Sequence, residues 1–365
     1  MSKLFTPLKV GRMALSHRIA MAPMTRLRAD QHHRPLPSVK EYYQQRACVP
    51  GTLLITEATV ITPAHGGYSN VPGIYNDAQL EAWKEVTKAV HAQGSHIYMQ
   101  LWALGRAGNP QFLQAQGYDV VSSSDVPMQS TFSDEMHHPR ALREEEIYSA
   151  IEDFATAAQN AIRAGFDGVE IHGANGYLVD QFIQDVSNKR TDAWGGSLEK
   201  RSKFAVEVTR AVVNAIGNDR TAIRLSPWSR YQGMRMADPI PQFSDLVSKL
   251  ADFKLAYLHA CESDSKDPAE NSKFLLDAYG NAGPVILAGG HNHESAKEAV
   301  DTKYKSNDVA IAFGRPFISN PDLAFRVQQN IPFASHDPAS MYAQTSEGYI
   351  DYEFSDDFKS AKVSA

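Results

Sequence analysis

The feature that most constrains the fold of this chain is a regular alternation of short apolar runs with longer amphipathic stretches. Most runs are continuously apolar, which is typical of parallel strands that are buried on both faces. Half-exposed strands would instead alternate apolar and polar residues. We predict strands at eight places: residues 18–24, 52–58, 96–102, 168–173, 221–227, 256–261, 284–290 and 308–315.

The amphipathic stretches between these runs are predicted to be helices. Residues 77–94 show the pattern, because Leu80, Trp83, Val86 and Val90 recur at helical spacing between an acidic start and a closing glycine. The remaining predicted helices cover residues 35–47, 144–165, 197–217, 241–253, 268–279, 294–304 and 321–329.

Eight strand–helix units in series, without a flexible linker, predict an α/β fold with a single (β/α)8 TIM-barrel domain over residues 1–365. An open doubly wound sheet is the alternative, and the missing G-x-G-x-x-G fingerprint argues against it. Long connections at 103–143, 228–241 and 262–268 follow strand ends, so they should wall the catalytic face, with 103–143 as a lid or insertion. Residues 1–17 are predicted to cap the bottom of the barrel.

The composition excludes several classes of protein. Hydrophobic residues make up 43% and charged residues 21% of the chain, as in globular proteins with a large core. The net charge of −6 disfavours a nucleic-acid partner, and no apolar stretch approaches the ~20 residues of a membrane span. Cys48 and Cys261 lie too far apart in sequence to suggest a disulfide framework or a metal site. Since the N-terminus also lacks a secretory signal, we expect a cytoplasmic monomer or homodimer.

The most informative motif is the hexapeptide HGANGY at 172–177, which directly follows the apolar run 168–171. Its glycines allow a sharp turn and the close approach of a ligand. His172, Asn175 and Tyr177 can donate hydrogen bonds, and the phenol can also give up a proton. Because α/β folds keep their chemistry at the carboxyl ends of strands, we predict that these three side chains form part of a catalytic site.

The other predicted strand ends contribute further groups to the same end of the barrel. None of them carries a lysine for Schiff-base chemistry, and no His-x-His motif or tight carboxylate pair indicates a metal hydrolase. Besides the hexapeptide, the groups at these ends are Pro23, Met24, Thr25, Glu57, Ala58, Gln100, Trp102, Arg224, Ser226, His259, Gly289, Gly290, Gly314 and Arg315.

This set of groups suits a planar phosphorylated cofactor such as flavin mononucleotide (FMN). Arg224 could place a positive charge against a ring that becomes anionic on reduction. Gln100 and Thr25 can hydrogen-bond the alternating carbonyl and N–H groups of an isoalloxazine edge. The phosphate would lie after the last two strands, where barrels often bind it, at Gly289, Gly290, Gly314 and Arg315.

Each of these interpretations has a simpler alternative. Arg224 could form a buried ion pair with Glu57, which the spacing favours about equally. Gln100 could only satisfy a backbone carbonyl, and the glycine pairs could be ordinary turns. A metal-dependent hydrolase would use His172 and His259 as ligands, and a non-catalytic barrel scaffold would need none of these groups.

The chain resembles the Old Yellow Enzyme family of flavin-dependent ene-reductases, and its details are similar to the fungal members. The resemblance extends from the segment LFTPL at 4–8 to GYIDY at 348–352. Its most specific motifs are MAPMTR at 21–26, QLW at 100–102, HGANGYL at 172–178, RTDAWGGS at 190–197 and FGRPFISNPDL at 313–323.

The resemblance implies a role for each group of residues. His172 and Asn175 would bind the substrate carbonyl, and Tyr177 would be the proton donor. Tyr68, Trp102 and Tyr342 would line the substrate cavity. The residues implied around the flavin are Pro23, Met24, Thr25, Ala58, Gln100, Arg224, Gly290, Gly314 and Arg315.

The implied reaction is reduction of the activated C=C bond of an α,β-unsaturated carbonyl compound, with FMN as cofactor and NADPH or NADH as reductant. Hydride would pass from flavin N5 to the β-carbon and a proton from Tyr177 to the α-carbon. The alternative is a pathway-specific reductase or isomerase of ergot-type alkaloid intermediates that uses the same site. Two positions depart from common family patterns: Ala103 stands where bacterial members often carry histidine, and Met24 stands where leucine is frequent.

Overall fold

The computed structural model describes residues 2–130, 133–263, 265 and 267–363. In this part of the chain, eight parallel strands pair side by side, and the pairing of the fourth strand with the third closes the sheet into a barrel. The strands are β1 (Ile19–Met21), β2 (Leu53–Ile55), β3 (His96–Trp102), β4 (Gly168–Gly173), β5 (Thr221–Leu225), β6 (Tyr257–Cys261), β7 (Val285–Ala288) and β8 (Val309–Phe313). The predicted α/β barrel is therefore confirmed.

The longer helices surround the barrel and cover the outer faces of its strands, whereas the short helix Pro110–Gln114 lies at the carboxyl ends of the strands. The apolar sides of the longer helices pack against the strands in one large hydrophobic core, which includes Trp83, Phe154 and Phe204. The helices are α1 (Pro37–Arg46), α2 (Asp77–His91), α3 (Pro110–Gln114), α4 (Glu144–Arg163), α5 (Leu178–Ile183), α6 (Leu198–Ile216), α7 (Ile240–Ala251), α8 (Lys273–Tyr279), α9 (His293–Glu298), α10 (Pro316–Ser319), α11 (Leu323–Gln329) and α12 (Asp356–Val363). None of the helices among the described residues is long and apolar enough to cross a bilayer.

Two helices differ from the sequence prediction. The helix predicted at 268–279 begins only at Lys273, because the Asn271 side chain accepts a hydrogen bond from the Lys273 N–H and ends the preceding loop there. The helix predicted at 294–304 changes from α to π geometry over Ala299–Lys303. The shorter helices α3, α5, α10 and α12 were not predicted, since they are too short or too polar to show a clear period.

A hairpin of the strands Leu8–Val10 and Met13–Leu15 lies at the bottom of the barrel. Its apolar side chains point to one face, because the burial pattern along each strand is buried, exposed, buried. They pack against residues at the amino-terminal ends of the barrel strands, among them Leu53, Ala222 and Tyr257. The interior of the barrel is thus filled from below by the N-terminal segment.

The long connection 103–143 lies after β3, on the opposite side. It contains α3, a parallel pairing of Arg140–Ala141 with Val121–Ser122, and an antiparallel pairing of Met128–Gln129 with Met136–His137. Its role as a lid stays a prediction. Residues 131–132 of this connection, residues 264 and 266 of the predicted loop 262–268, Met1 of the cap and residues 364–365 lie outside the described residues.

The hairpin turn yields a stability prediction. A Cβ on Gly11 would lie 2.1 Å from the carbonyl oxygen of Asp219, and the φ of Gly11 is +56°. Gly11→Ala should therefore lower the free energy of unfolding by about 1–3 kcal/mol through strain and clash, measured by urea denaturation. Gly117→Ala is the control, since Gly117 has φ +80° and nothing described within 4 Å of its Cβ position. Equal losses in both variants would contradict the packing of the hairpin against Asp219.

Candidate active site

The hexapeptide 172–177 leaves β4 through a tight turn. Asn175 and Gly176 both adopt left-handed backbone conformations, with φ of +57° and +76°. Asparagine and glycine are the residues that adopt this region most readily, which explains their place in the motif. The Oγ of Ser226, just after β5, accepts a hydrogen bond of 2.7 Å from the Asn175 backbone N–H. The turn brings His172, Asn175 and Tyr177 to one cavity.

This cavity lies at the carboxyl ends of the strands and has a volume of about 740 Å³. Most of the residues predicted for the site line it, although they come from six segments that are far apart in the sequence. These lining residues are Pro23, Thr25, Ala58, Tyr68, Gln100, Trp102, His172, Asn175, Tyr177, Arg224 and Tyr342.

The predicted phosphate-binding residues lie outside the cavity wall. Gly289, Gly290 and Arg315 are exposed after β7 and β8, two strands that pair with each other. A Cβ on Gly290 would meet no described atom within 4 Å, and one on Gly314 would come no closer than 3.7 Å, to the Met24 sulfur. The backbone at Gly290 therefore faces open space, which a bound group could occupy, whereas a Cβ on Gly314 would be in ordinary van der Waals contact with Met24 and Ala22.

Gly289 has a different explanation. A Cβ at this position would lie 2.6 Å from the Cβ of Glu262. Glycine is therefore required here by the neighbouring loop, whether or not a ligand binds. Its predicted role in phosphate binding stays a prediction.

A buried carboxylate organises the floor of the cavity. Glu170 is fully buried on β4, and it accepts hydrogen bonds from Gln100 Nε2 at 2.8 Å and from His259 Nδ1 at 2.7 Å. Burial alone would raise the pKa of Glu170, but His259, Arg224 and Gln100 together hold this pKa below its ordinary value. The floor therefore carries an ionised carboxylate.

These contacts decide between several sequence-based alternatives. Gln100 donates to a carboxylate rather than to a backbone carbonyl. Glu57 accepts a hydrogen bond from the Arg26 backbone N–H, and within the described residues it forms no ion pair with Arg224. His259 is bound to Glu170, and the described residues contain no cluster of three or more potential metal ligands. The metal-hydrolase alternative is therefore not supported.

Three buried polar atoms at the cavity have no hydrogen-bond partner among the described residues: His172 Nδ1, Trp102 Nε1 and Arg224 Nε. Burying a polar atom without a hydrogen bond costs free energy, so these three atoms indicate that a polar ligand binds in the cavity. His172 and Arg224 lie on paired strands in direct register. The positive charge of Arg224, the amide of Gln100 and a cavity of about 740 Å³ fit the ring of FMN, and the open backbone at Gly290 fits its phosphate.

The electrostatics of the cavity keep its two key side chains neutral. Burial lowers the pKa of His172 well below its ordinary value, and the positive charge of Arg224 lowers it further. Burial raises the pKa of Tyr177 well above its ordinary value. The imidazole is therefore a neutral hydrogen-bonding group, and the phenol retains its proton.

Aromatic contacts fix the positions of these side chains. The Tyr177 ring lies edge-on to Trp102 and to His172, with centroid distances of 4.9 and 4.8 Å. Trp102 also contacts the Tyr68 ring at 5.7 Å. Edge-on packing of this kind restricts rotation of the phenol and keeps its edge at the cavity.

Several lining residues were not singled out from the sequence: Leu27, Gly67, Ser69, Asn109, Gln111, Phe112 and Tyr231. They belong to loops after the first, second, third and fifth strands. The predicted long loops 103–143 and 228–241 were a signal for Asn109, Gln111, Phe112 and Tyr231, but the sequence did not show which loop residues turn inward.

Comparisons with known proteins show the family of this chain. A family model described as NADH:flavin oxidoreductase / NADH oxidase family matches residues 3–333. The chain is 60% identical to chanoclavine-I aldehyde reductase fgaOx3 of Penicillium roqueforti, over 99% of each chain.

Solved structures show the same likeness. The Old Yellow Enzyme homologue from Zymomonas mobilis superposes with a TM-score of 0.89 at 38% identity, over 96% of this chain and 99% of that chain. A morphinone reductase variant in complex with tetrahydroNAD gives a TM-score of 0.88 at 37% identity, over 98% of both chains. The resemblance inferred from the motifs is confirmed. The chain belongs to the NADH:flavin oxidoreductase / NADH oxidase family, as an FMN-dependent oxidoreductase of the Old Yellow Enzyme type.

Proposed function

We propose that this oxidoreductase reduces the activated C=C bond of α,β-unsaturated carbonyl compounds with NADPH or NADH as reductant. The observation that carries the proposal is the pair of neutral groups His172 and Tyr177, whose rings lie 4.8 Å apart at one cavity. Such a pair can bind a carbonyl oxygen and deliver a proton within the same substrate. The bound FMN supplies hydride transfer, from the nicotinamide to the β-carbon of the acceptor.

His172 and Asn175 are proposed to bind the carbonyl oxygen of the acceptor. Negative charge develops on this oxygen as the β-carbon receives hydride, and hydrogen bonds from the two side chains stabilise it. The neutral state of His172 suits this role, because a neutral imidazole donates one hydrogen bond without losing its own proton. The Ser226 contact to the Asn175 backbone holds the second donor in place.

Tyr177 is proposed to protonate the α-carbon. Its phenol carries the proton at neutral pH, since burial keeps its pKa high. The proton is transferred to the carbon that becomes basic when the β-carbon is reduced, and water then returns a proton to the phenolate. One hydride and one proton thus account for the saturated product.

The cavity floor is proposed to hold the flavin ring. Glu170 accepts a hydrogen bond from Gln100 Nε2, so Gln100 Oε1 remains to accept one from a ligand. Arg224 would place a positive charge beside the ring, which would favour its reduction. Pro23, Met24, Thr25 and Ala58 would contact the ring, and Gly290, Gly314 and Arg315 would hold the phosphate.

A second candidate is a dedicated reductase or isomerase of an ergot-type alkaloid intermediate. The observation in its favour is the 60% identity, over 99% of both chains, to a protein named chanoclavine-I aldehyde reductase. The mouth of the cavity is also rich in aromatic rings, with Tyr68, Phe112, Tyr231 and Tyr342 in its wall. Such a wall suits a fused aromatic substrate better than a small aliphatic one.

An acceptor panel separates the two candidates. We expect cyclohexenone and cinnamaldehyde to oxidise the reduced enzyme with one NADPH consumed per alkene reduced, as product analysis and absorbance would show. If only an indole-bearing unsaturated aldehyde reacts, the dedicated function is correct. Conversion of that aldehyde without NADPH consumption would identify an isomerase instead.

Tyr177→Phe tests the proton donor. The variant should slow reoxidation of the reduced enzyme by an enone by about 100-fold or more, because the proton then has to come from solvent. Reduction of the oxidised enzyme by NADPH should change by less than about twofold, since this step needs no proton from Tyr177. Anaerobic stopped-flow absorbance measures both half-reactions. Tyr148→Phe, at an exposed phenol on α4, is the control; equal slowing of both half-reactions would refute the assignment.

Arg224→Met tests the positive charge that Arg224 places at the floor of the cavity. Loss of the charge should weaken FMN binding by about tenfold, which corresponds to about 1.4 kcal/mol, and should make the flavin reduction potential more negative. Fluorescence titration and spectroelectrochemistry measure the two quantities. Arg210→Met, at an exposed position on α6, should leave both unchanged. An unaltered potential in Arg224→Met would show that this side chain does not face the ring.

A further inference from the structure

Helix α5, which follows the hexapeptide, and its C-cap residue Gln184 bring three polar side chains into the interior of the protein. Asp180, Gln181 and Gln184 are all 0% exposed. Buried polar groups of this kind need hydrogen-bond partners, and the partners identify what the groups do. Here they are the backbone of the hexapeptide, the backbones of two neighbouring loops, the Ser122 hydroxyl and, between Asp180 and Gln184, each other.

Asp180 uses both of its carboxylate oxygens as acceptors. Its Oδ2 accepts a hydrogen bond of 2.9 Å from the Gly176 backbone N–H, which immediately precedes Tyr177 in the chain. Its Oδ1 accepts a hydrogen bond of 2.9 Å from Gln184 Nε2. Asp180 therefore joins the turn that carries the phenol to the end of α5.

The orientation of the Gln184 amide is set by the loop after β5. Its Oε1 accepts hydrogen bonds from the backbone N–H groups of Arg235 at 3.0 Å and of Met236 at 3.2 Å. The group that faces Asp180 must then be the donor, Nε2. Position 180 has to offer one acceptor to Gly176 and a second one to Gln184, and among side chains of this size only a carboxylate does so.

The turn at Gly176 is stabilised by hydrogen bonds with side chains outside the turn. Asn175 and Gly176 are both left-handed, and a non-glycine residue in this region carries a conformational cost. Gln181 Nε2 donates to the Gly176 carbonyl at 2.7 Å, so the residue is held from both sides. A Cβ on Gly176 would lie 2.8 Å from the Gln232 Cβ, which shows how closely the loop after β5 covers the turn.

The charge state of Asp180 agrees with this role. Burial raises the pKa of Asp180 to about 7, against the hydrogen bonds from Gln184 and Gly176 and the positive charge of Arg106. The two donors thus favour the carboxylate form, the form that can accept from both. At pH 8 this form predominates.

From these contacts we propose that Asp180 is a positioning residue for proton donation by Tyr177. It holds the Gly176 backbone so that the phenol stays at the cavity, and through Gln184 it ties this turn to the loop after β5. The inference rests on the proposed role of Tyr177 as the proton donor.

An exchange of the two side chains tests the proposal. In Asp180→Asn, an amide N–H₂ faces either Gly176 N–H or Gln184 Nε2, so one donor meets another. In the double variant Asp180→Asn with Gln184→Glu, the new carboxylate accepts from the introduced amide N–H₂ and from the Arg235 and Met236 N–H groups. The oxygen of the introduced amide then accepts from Gly176. The double variant therefore restores every hydrogen bond with the same net charge.

We expect Asp180→Asn at pH 8 to slow reoxidation by an enone about tenfold or more, while FMN reduction by NADPH changes less than about twofold. The double variant should recover the reoxidation rate to within about threefold of the original protein, because the coupling between the two positions is restored. Stopped-flow absorbance of the FMN-loaded proteins measures both half-reactions. Circular dichroism and FMN content verify folding.

Each outcome supports or overturns the positioning role of Asp180. An unchanged reoxidation rate in Asp180→Asn, or equal slowing of both half-reactions, would overturn the positioning role. If Asp180→Asn fails to fold, the double variant still decides, since a folded double variant that stays slow also overturns it. Tyr177→Phe is measured alongside: if that variant reoxidises at the normal rate, the proposed function fails, whereas slowing in Tyr177→Phe but not in Asp180→Asn rejects only the role of Asp180.

Discussion

The catalytic end of this protein depends on one buried carboxylate, Glu170. A charge without water around it is strongly disfavoured unless hydrogen bonds and opposite charges compensate for the lost solvent. Gln100 from β3 and His259 from β6 supply hydrogen bonds, and Arg224 from β5 supplies positive charge nearby. The need to satisfy this carboxylate therefore fixes side chains from four strands relative to each other. Gln100 and Arg224 are also the groups proposed to face the flavin. Because their interactions with Glu170 do not depend on a ligand, the floor is preorganised before a ligand binds.

The sequence predicted most of the barrel because parallel strands that are buried on both faces appear as continuous apolar runs. All eight apolar runs became strands, and polar residues at their ends meet at one mouth simply because the strands are parallel and closed. The start of α8 was misplaced, since the Asn271 side-chain hydrogen bond that sets it is local and leaves no periodic signal. Glu170 was not singled out, because a single acidic residue within an apolar run does not reveal partners on other strands.

The loops were less predictable for a physical reason. Phe112 and Tyr231 reach the cavity because their loops fold back over the strand ends, and this folding is set by contacts among loops rather than by a repeating pattern. The Gln184 side chain is an example: its Oε1 accepts hydrogen bonds from the backbone N–H groups of Arg235 and Met236, which lie 51 and 52 residues further along the chain. Local sequence could show that Asp180 and Gln184 are polar residues shortly after the hexapeptide, but it could not show that both are buried.

The hairpin at the bottom of the barrel has a consequence for turnover. Leu8, Val10, Met13 and Leu15 fill the interior from below, so the cavity opens at the other end of the barrel. Under the proposed function, reduced nicotinamide and the oxidising substrate would then arrive and depart by the same route, one after the other. Turnover would consequently be an alternation, in which a high concentration of either molecule obstructs the other.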